Sequence, residues 1–113
     1  MSSTHVHLTI EWYMPIDQAR PTTLALHSIA AETRMTHGCV RCSVAADFTH
    51  HGTVRYTEEW LTEQDLRVQM QSDTFSQLMR LIDGATEPPF IEFALSHQTR
   101  GLDFVAEVLA SAR

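Results

Sequence analysis

The sequence contains no lysine and no asparagine, and all eight of its cationic side chains are arginine. Without a lysine amine there is no side chain to form a Schiff base with a carbonyl substrate or with pyridoxal phosphate. A GC-rich genome produces the same arginine bias. Glycine and proline number four each, too few for a linker-rich or low-complexity chain. No apolar run approaches the ~20 residues that a membrane-spanning helix needs. The opening stretch, MSSTHVHLTIEW, has no basic segment leading into an apolar block, so no signal peptide is predicted and a cytoplasmic location is expected. Positive charge is scarce as well. Fourteen Asp and Glu against eight Arg leave a net charge of −6, which argues against nucleic acid as a partner, because that binding depends on cations neutralising phosphates.

Cysteine is limited to Cys39 and Cys42, a lone C-x-x-C. The surrounding CVRCSVAADF alternates as a strand does. At ~3.3 Å per residue the two α-carbons would lie about 10 Å apart on opposite faces, too far for a disulfide. The pair is expected to be structural. His5 and His7 share a strand face, but spacing places no third ligand beside them, so no metal site is expected.

What is present divides into a regular series of elements. With 113 residues the chain is one domain, residues 1–113, with a core of about 5–98 and a C-terminal helix at about 102–112. In HVHLTIEW, Val6, Leu8, Ile10 and Trp12 alternate with polar residues and predict a first strand. A helix is predicted from about Gln18 to Thr36, with Pro21 in its first turn, Leu26, Ile29, Ala30 and Thr33 as its apolar stripe, and Gly38 suited to its C-cap. The second strand runs from Cys39 to Phe48 or Thr49, with Val40, Cys42, Val44, Ala46 and Phe48 on one side. His50-His51-Gly52-Thr53 reads as a solvated hairpin turn in which Gly52 supplies a positive φ.

A third strand covers Val54 to Leu61, and Thr62 N-caps the helix that follows. Ser72-Asp73 breaks and restarts that helix, which then carries Phe75, Leu78, Met79 and Ile82. The Pro88-Pro89 pair leads into a fourth strand, Phe90 to Gln98, with Ile91, Phe93, Leu95 and His97 on one face. The last helix presents Phe104, Val105, Val108 and Leu109. The order β-α-β-β-α-β plus a tail helix is α+β and ferredoxin-like, and right-handed crossovers are expected to place strands one and three centrally and parallel.

The third strand holds the feature most in need of explanation. Val54, Tyr56, Glu58 and Trp60 share one face, so a carboxylate sits between two large aromatic rings. A bare buried carboxylate costs several kcal/mol, so Glu58 must be protonated, hydrogen-bonded or paired. An arginine on a neighbouring strand and a bound substrate hydroxyl are both candidate partners, and the second makes Glu58 a candidate general base. His27, mid-helix, and His97, on the fourth strand, are the histidines placed to serve the same role, since imidazole titrates near neutrality.

Glu58-x-Trp60, Leu66, then Ser72-Asp73-Thr74-Phe75, together with Gly38-Cys39 opening the second strand, resemble the antibiotic biosynthesis monooxygenase family. The resemblance runs from about Val6 to Leu95. It implies a dimeric α+β barrel in which the sheets of two identical chains close on each other, with the tail helix docking on the neighbour. It further implies a pocket between helices and sheet for a flat hydroxylated aromatic ligand, with Trp60 and Tyr56 lining it and Phe75 and Phe93 completing the substrate-binding set. Two departures stand out. Gln69 occupies the helical position where many members carry histidine, and the absence of asparagine removes the pocket asparagine of the quinone-forming and haem-degrading branches. Both count against haem degradation.

The resulting expectation is a cofactor-independent monooxygenase acting on an anthrone- or quinol-like compound, with molecular oxygen as co-substrate and with Glu58, His27 or His97 as base. No flavin or nicotinamide fingerprint is present. The alternatives are a non-oxidative isomerase or cyclase using the same base, and a non-catalytic ligand-binding dimer. The scaffold alone does not choose among them.

Overall fold

Alternation in the first strand is realised over β1 (Val6–Met14), which buries Val6, Leu8, Ile10 and Trp12 and turns His7, Thr9, Glu11 and Tyr13 to the other side. A computed structural model describes residues 5–47, 49 and 52–112. Phe48, His50 and His51, expected at the end of the second strand and in its turn, lie outside the described residues. The remaining elements are α1 (Ile16–Arg34), β2 (Cys39–Asp47), β3 (Gly52–Trp60), α2 (Glu63–Gln69), α3 (Asp73–Asp83), β4 (Phe90–Ala94), β5 (Thr99–Arg100) and α4 (Asp103–Ser111).

The five strands form one sheet in the order β2-β3-β1-β4-β5. Strands β1 and β3 are central, as expected, but they pair antiparallel, Val6 opposite Trp60 and Met14 opposite Gly52. The expectation of parallel pairing is corrected by the connectivity. The α1 crossover returns the chain so that β2 runs the same way as β1, and the β2–β3 hairpin then reverses it into the gap between them. All helices with buried faces pack on the side of Val6, Leu8, Ile10, Val54 and Tyr56, and this layer is the core.

Helix α1 begins at Ile16, two residues earlier than its predicted start, so Pro21 falls in the second turn rather than the first. Its buried residues include the predicted stripe of Leu26, Ile29, Ala30 and Thr33. The helix ends at Met35, and Gly38 serves the strand instead of capping the helix. Gly38 has φ +87°, and a β-carbon there would fall 2.3 Å from the Asp65 carboxyl carbon. Only glycine combines that conformation with that closeness.

A bulge at the start of β2 overturns the expected cysteine geometry. Cys39 lies opposite Trp60 and Arg41 opposite Glu59, so Val40 is an extra residue on β2. The insertion shifts the alternation by one, which puts Cys39 and Cys42 on the same face, opposite Trp60 and Glu58. Val40 is turned out and 43 % exposed. Both thiols are free. Burial pushes the Cys42 thiol up to about 12, so it is no nucleophile near neutral pH.

Gly52 lies within β3 and not in a turn of positive φ; among the described residues Gly38 alone has one. Its reason is space. A β-carbon at Gly52 would sit 2.5 Å from the Ala19 β-carbon and 2.8 Å from the Met14 carbonyl oxygen. Gly52→Ala is therefore expected to cost about 1–3 kcal/mol through overpacking. Adding Ala19→Gly should recover part of the loss in urea midpoints, and not all, because the Met14 backbone remains.

At the far edge, the predicted fourth strand is cut short at Ala94. The Leu95 N–H donates to the Gln98 carbonyl at 2.8 Å, and the chain folds back as β5. Helix α4 then docks on its own chain and not through an exposed apolar stripe. Phe104 is fully buried with its ring centroid 5.1 Å from that of Phe93. The guanidinium carbons of Arg67 and Arg100 lie 5.2 and 5.4 Å from the Phe104 ring centroid. Leu109, read as part of the apolar side of this helix, is exposed.

Candidate functional site

Alternation along β3 brings Tyr56, Glu58 and Trp60 to one face, and their geometry explains the buried carboxylate. Glu58 is 1 % exposed. One of its oxygens accepts from the Tyr56 hydroxyl at 2.6 Å and the other from the Trp60 indole N–H at 2.9 Å. Its partners are thus two neighbours on its own strand rather than an arginine. Burial holds the Glu58 carboxyl above its ordinary range, against the opposing pull of the two donors. Burial likewise pushes the Tyr56 phenol upward, and the nearby Glu58 charge adds to it.

Behind this cluster lies a second layer of buried polar groups. The Thr33 hydroxyl donates to the Ile29 carbonyl at 2.8 Å and accepts from the Gln69 amide at 3.3 Å. With the Tyr56 proton given to Glu58 and the Thr33 proton to Ile29, the 3.5 Å approach of those two hydroxyls has no proton to share. Gln69, 2 % exposed, ties α2 to α1 from the position where a histidine was expected by resemblance.

The cluster is sealed. Trp60 and Tyr56 are fully buried, Phe75 is 2 % exposed and Phe93 is fully buried in tilted contact with Phe104. None of these residues, nor Glu58, borders either of the two cavities beside the end of α3. His27 lies exposed on α1 and His97 exposed in the turn between β4 and β5, so neither joins Glu58. Among the described residues no group of three or more His, Cys, Asp or Glu is placed to hold a metal ion.

Open space occurs at the other end of the sheet. A cavity of about 420 Å³ lies where β1 runs out, walled by Trp12, Tyr13, Met14, Pro15, Gln18 and Thr22 from the β1–α1 corner and by Arg80, Leu81 and Gly84–Glu87 from the end of α3. Local sequence shapes this corner. The Pro15 carbonyl accepts from the Gln18 and Ala19 N–H groups, both at 3.0 Å, and so starts α1 at the cavity wall. Gln18 and Thr22 follow one turn apart on the same face. A second cavity of about 430 Å³ lies beneath the α3–β4 connection, lined by Ile82, Asp83, Ala85, Pro88, Pro89, Ile91 and Leu102.

Trp12 distinguishes the first cavity. It is 1 % exposed, and its indole Nε1 meets no acceptor among the described residues. An orphan buried donor costs about 1–3 kcal/mol, and here it belongs to a residue that borders a cavity. Arg80, which also borders the cavity, forms no ion pair among the described residues. Tyr13 is engaged: its hydroxyl donates to Glu11, and that bond holds its phenol above the ordinary range. Trp12 was readable from the sequence only as a core residue of the first strand. The signal of more is its place, the last inward position before Pro15, where the sheet stops covering its neighbours.

No family model matches the chain, and no curated protein matches it either. Solved structures do. A candidate antibiotic biosynthesis monooxygenase from Deinococcus radiodurans aligns with TM-score 0.70 at 17% identity, over 86% of this chain and 97% of that one. The chain has an antibiotic biosynthesis monooxygenase-like fold. A candidate antibiotic biosynthesis monooxygenase from Nitrosomonas europaea aligns with TM-score 0.68 at 11% identity, over 89% and 92% of the two chains. A Bacteroides thetaiotaomicron protein of unknown function, described as a candidate oxidoreductase, aligns with TM-score 0.68 at 12% identity, over 89% and 100%. At these identities the likeness establishes the monooxygenase-like fold and leaves activity to the site. Among the described residues no helix is long and apolar enough to cross a membrane.

Proposed function

We propose that this chain is a cofactor-independent monooxygenase for a small hydroxylated aromatic compound, bound in the Trp12 cavity. The observation that carries the reading is the cavity of about 420 Å³ bordered by Trp12, Tyr13 and Arg80, a volume in the range of small-molecule sites. The names given to the neighbouring structures support an oxidative chemistry and reach this chain only through this proposal.

In the proposed reaction an anthrone-like methylene loses a proton to solvent by way of the Glu87 carboxylate at the cavity mouth. The carbanion passes one electron to molecular oxygen, and the radical pair combines into a peroxide anion that takes a proton back from solvent to become a hydroperoxide. Loss of water leaves a carbonyl, so that one methylene compound and one dioxygen give one ketone and one water. The chain's own contribution is to orient the ring against Trp12 and Tyr13 and to place the Arg80 charge beside its oxygen. The proposed working unit is a homodimer joined through the sheet faces that no helix covers. Its support is the exposure of Phe90, which pairs with outward-facing Glu11, and of Leu61 just after β3. Sedimentation velocity tests this, and a monomer at all concentrations would remove the dimer.

Oxygen consumption with a panel of anthrones and hydroquinones tests the activity. Uptake above the spontaneous rate is expected, falling roughly tenfold or more in Trp12→Phe, the ratio set by about 1.4 kcal/mol of lost binding. Glu58→Gln should leave uptake unchanged, because Glu58 is sealed away from the cavity. A matching fall in that variant would return the proton-accepting role to Glu58. No uptake, with aromatic ligands still bound, would favour a non-oxidative isomerase or cyclase, or a ligand-binding dimer.

A further inference from the structure

We propose that the connection between α3 and β4, residues 84–89, is a gate to the first cavity that opens by moving into the second. The gate rests on the reading of the first cavity as a ligand site, but its motion does not depend on a ligand. The two cavities, of about 420 and 430 Å³, share this connection as a wall. Gly84, Ala85, Thr86 and Glu87 border the first, and Ala85, Pro88 and Pro89 border the second. Their other walls belong to different elements. The first cavity is bounded by the β1–α1 corner, the second by Ile91 of β4 and Leu102 at the start of α4. With open space next to it on both accounts, the connection has few side chains wedged against it, and such a segment moves at little cost.

Bonding along the segment agrees. At its helix end the Gly84 N–H donates to the Arg80 carbonyl at 2.9 Å and the Ala85 N–H to the Ile82 carbonyl at 3.2 Å. At its strand end Phe90 pairs with Glu11. Between these anchors Thr86, Glu87, Pro88 and Pro89 make no hydrogen bond or ion pair among the described residues. Thr86, Glu87 and Pro88 are exposed and Pro89 is half-buried, so water can satisfy this backbone in either position and the motion breaks no bond within the protein. Each proline fixes its own φ and holds the residue before it in extended backbone. Glu87, Pro88 and Pro89 therefore move as one stiff unit, and the bend falls at Gly84, Ala85 and Thr86.

Relaxation dispersion on the free protein and stopped-flow binding of 2-naphthol test the gate. In the free protein, microsecond-to-millisecond exchange is expected at the Ala85, Thr86 and Glu87 amides and not along β1 or β3. Leu102→Trp and Ile91→Phe enlarge side chains that line the second cavity and not the first. Each should suppress that exchange. In the same variants 2-naphthol should enter and leave on the order of tenfold more slowly, while its Kd stays within about twofold. A Kd changed through dissociation alone would mark a distorted wall and overturn the gate. Flat dispersion at the connection, dispersion untouched in both variants, or unchanged binding rates would also overturn it, and each would leave the first cavity as a ligand site. No binding of 2-naphthol would overturn that site, and the gate with it.

Discussion

Glu58→Ala is expected to destabilise the domain by about 2–5 kcal/mol, a large share of the 5–15 kcal/mol typical of a folded domain. The Tyr56 hydroxyl and the Trp60 indole N–H would both lose their acceptor in a region closed to water. Relief from burying the carboxylate offsets part of the cost. Calorimetry should show a melting temperature lower by on the order of 10 °C. A change too small to measure would mean that the two donors find other acceptors, and the cluster would then not hold β3 in place.

Glu58→Gln keeps the shape and separates charge from hydrogen bonding. The amide oxygen can accept from Trp60, and the amide nitrogen can donate to the Tyr56 oxygen. Burial raises the Glu58 carboxyl above its ordinary value of 4.5. Between 4.5 and the raised value the unfolded chain has released its proton while the folded chain keeps it. The contribution of Glu58 to stability is therefore complete below 4.5 and is lost as pH rises through the folded value. Urea midpoints of the two proteins, followed from about pH 4 upward, should diverge in favour of Glu58→Gln as pH rises. Parallel curves would show that Glu58 titrates alike in both states.

Phe104→Ala carries the other large effect, about 3–5 kcal/mol for a fully buried phenylalanine. The ring joins α4 to Phe93 and lies beneath Arg67 and Arg100, so its loss removes the aromatic pair and both cation contacts together. A helix of nine residues is not stable by itself in water. Amide exchange should accordingly become fast along Asp103–Ser111 while β1 and β3 stay protected. Uniform loss of protection over the whole sheet would show instead that α4 is part of the folding core. Phe104→Leu should retain most of the packing and restore slow exchange.

Much of the architecture was readable because local chemistry and tertiary fold agree. Thr62 reads as an N-cap and Ser72-Asp73 as a helix restart in the sequence, and the Thr62 and Ser72 hydroxyls accept from the Asp65 and Phe75 N–H groups at 3.1 Å. The alternation of β1 and β3 carried the burial of Leu8, Ile10, Tyr56 and Glu58. Irregularities were not readable. The Val40 bulge inserts one residue without any glycine or proline to announce it, and it reverses which face Cys39 takes. The turn after Ala94 likewise has no turn-forming dipeptide, and so residues 95–98 were read as part of the fourth strand and β5 was missed.

The candidate site divides in the same way. Sequence by itself determined that the chain is an α+β domain with a ferredoxin-like order of elements, and that a carboxylate would be buried between Tyr56 and Trp60. Periodicity and capping are short-range properties, written within a few residues of where they act. Only the tertiary structure decided that this carboxylate is satisfied by its own strand and closed off, while the accessible cavity gathers Trp12, Gln18 and Arg80 from three separate elements. Whether a side chain lines a cavity depends on where packing between distant segments fails to fill space, and no local pattern of residues encodes that.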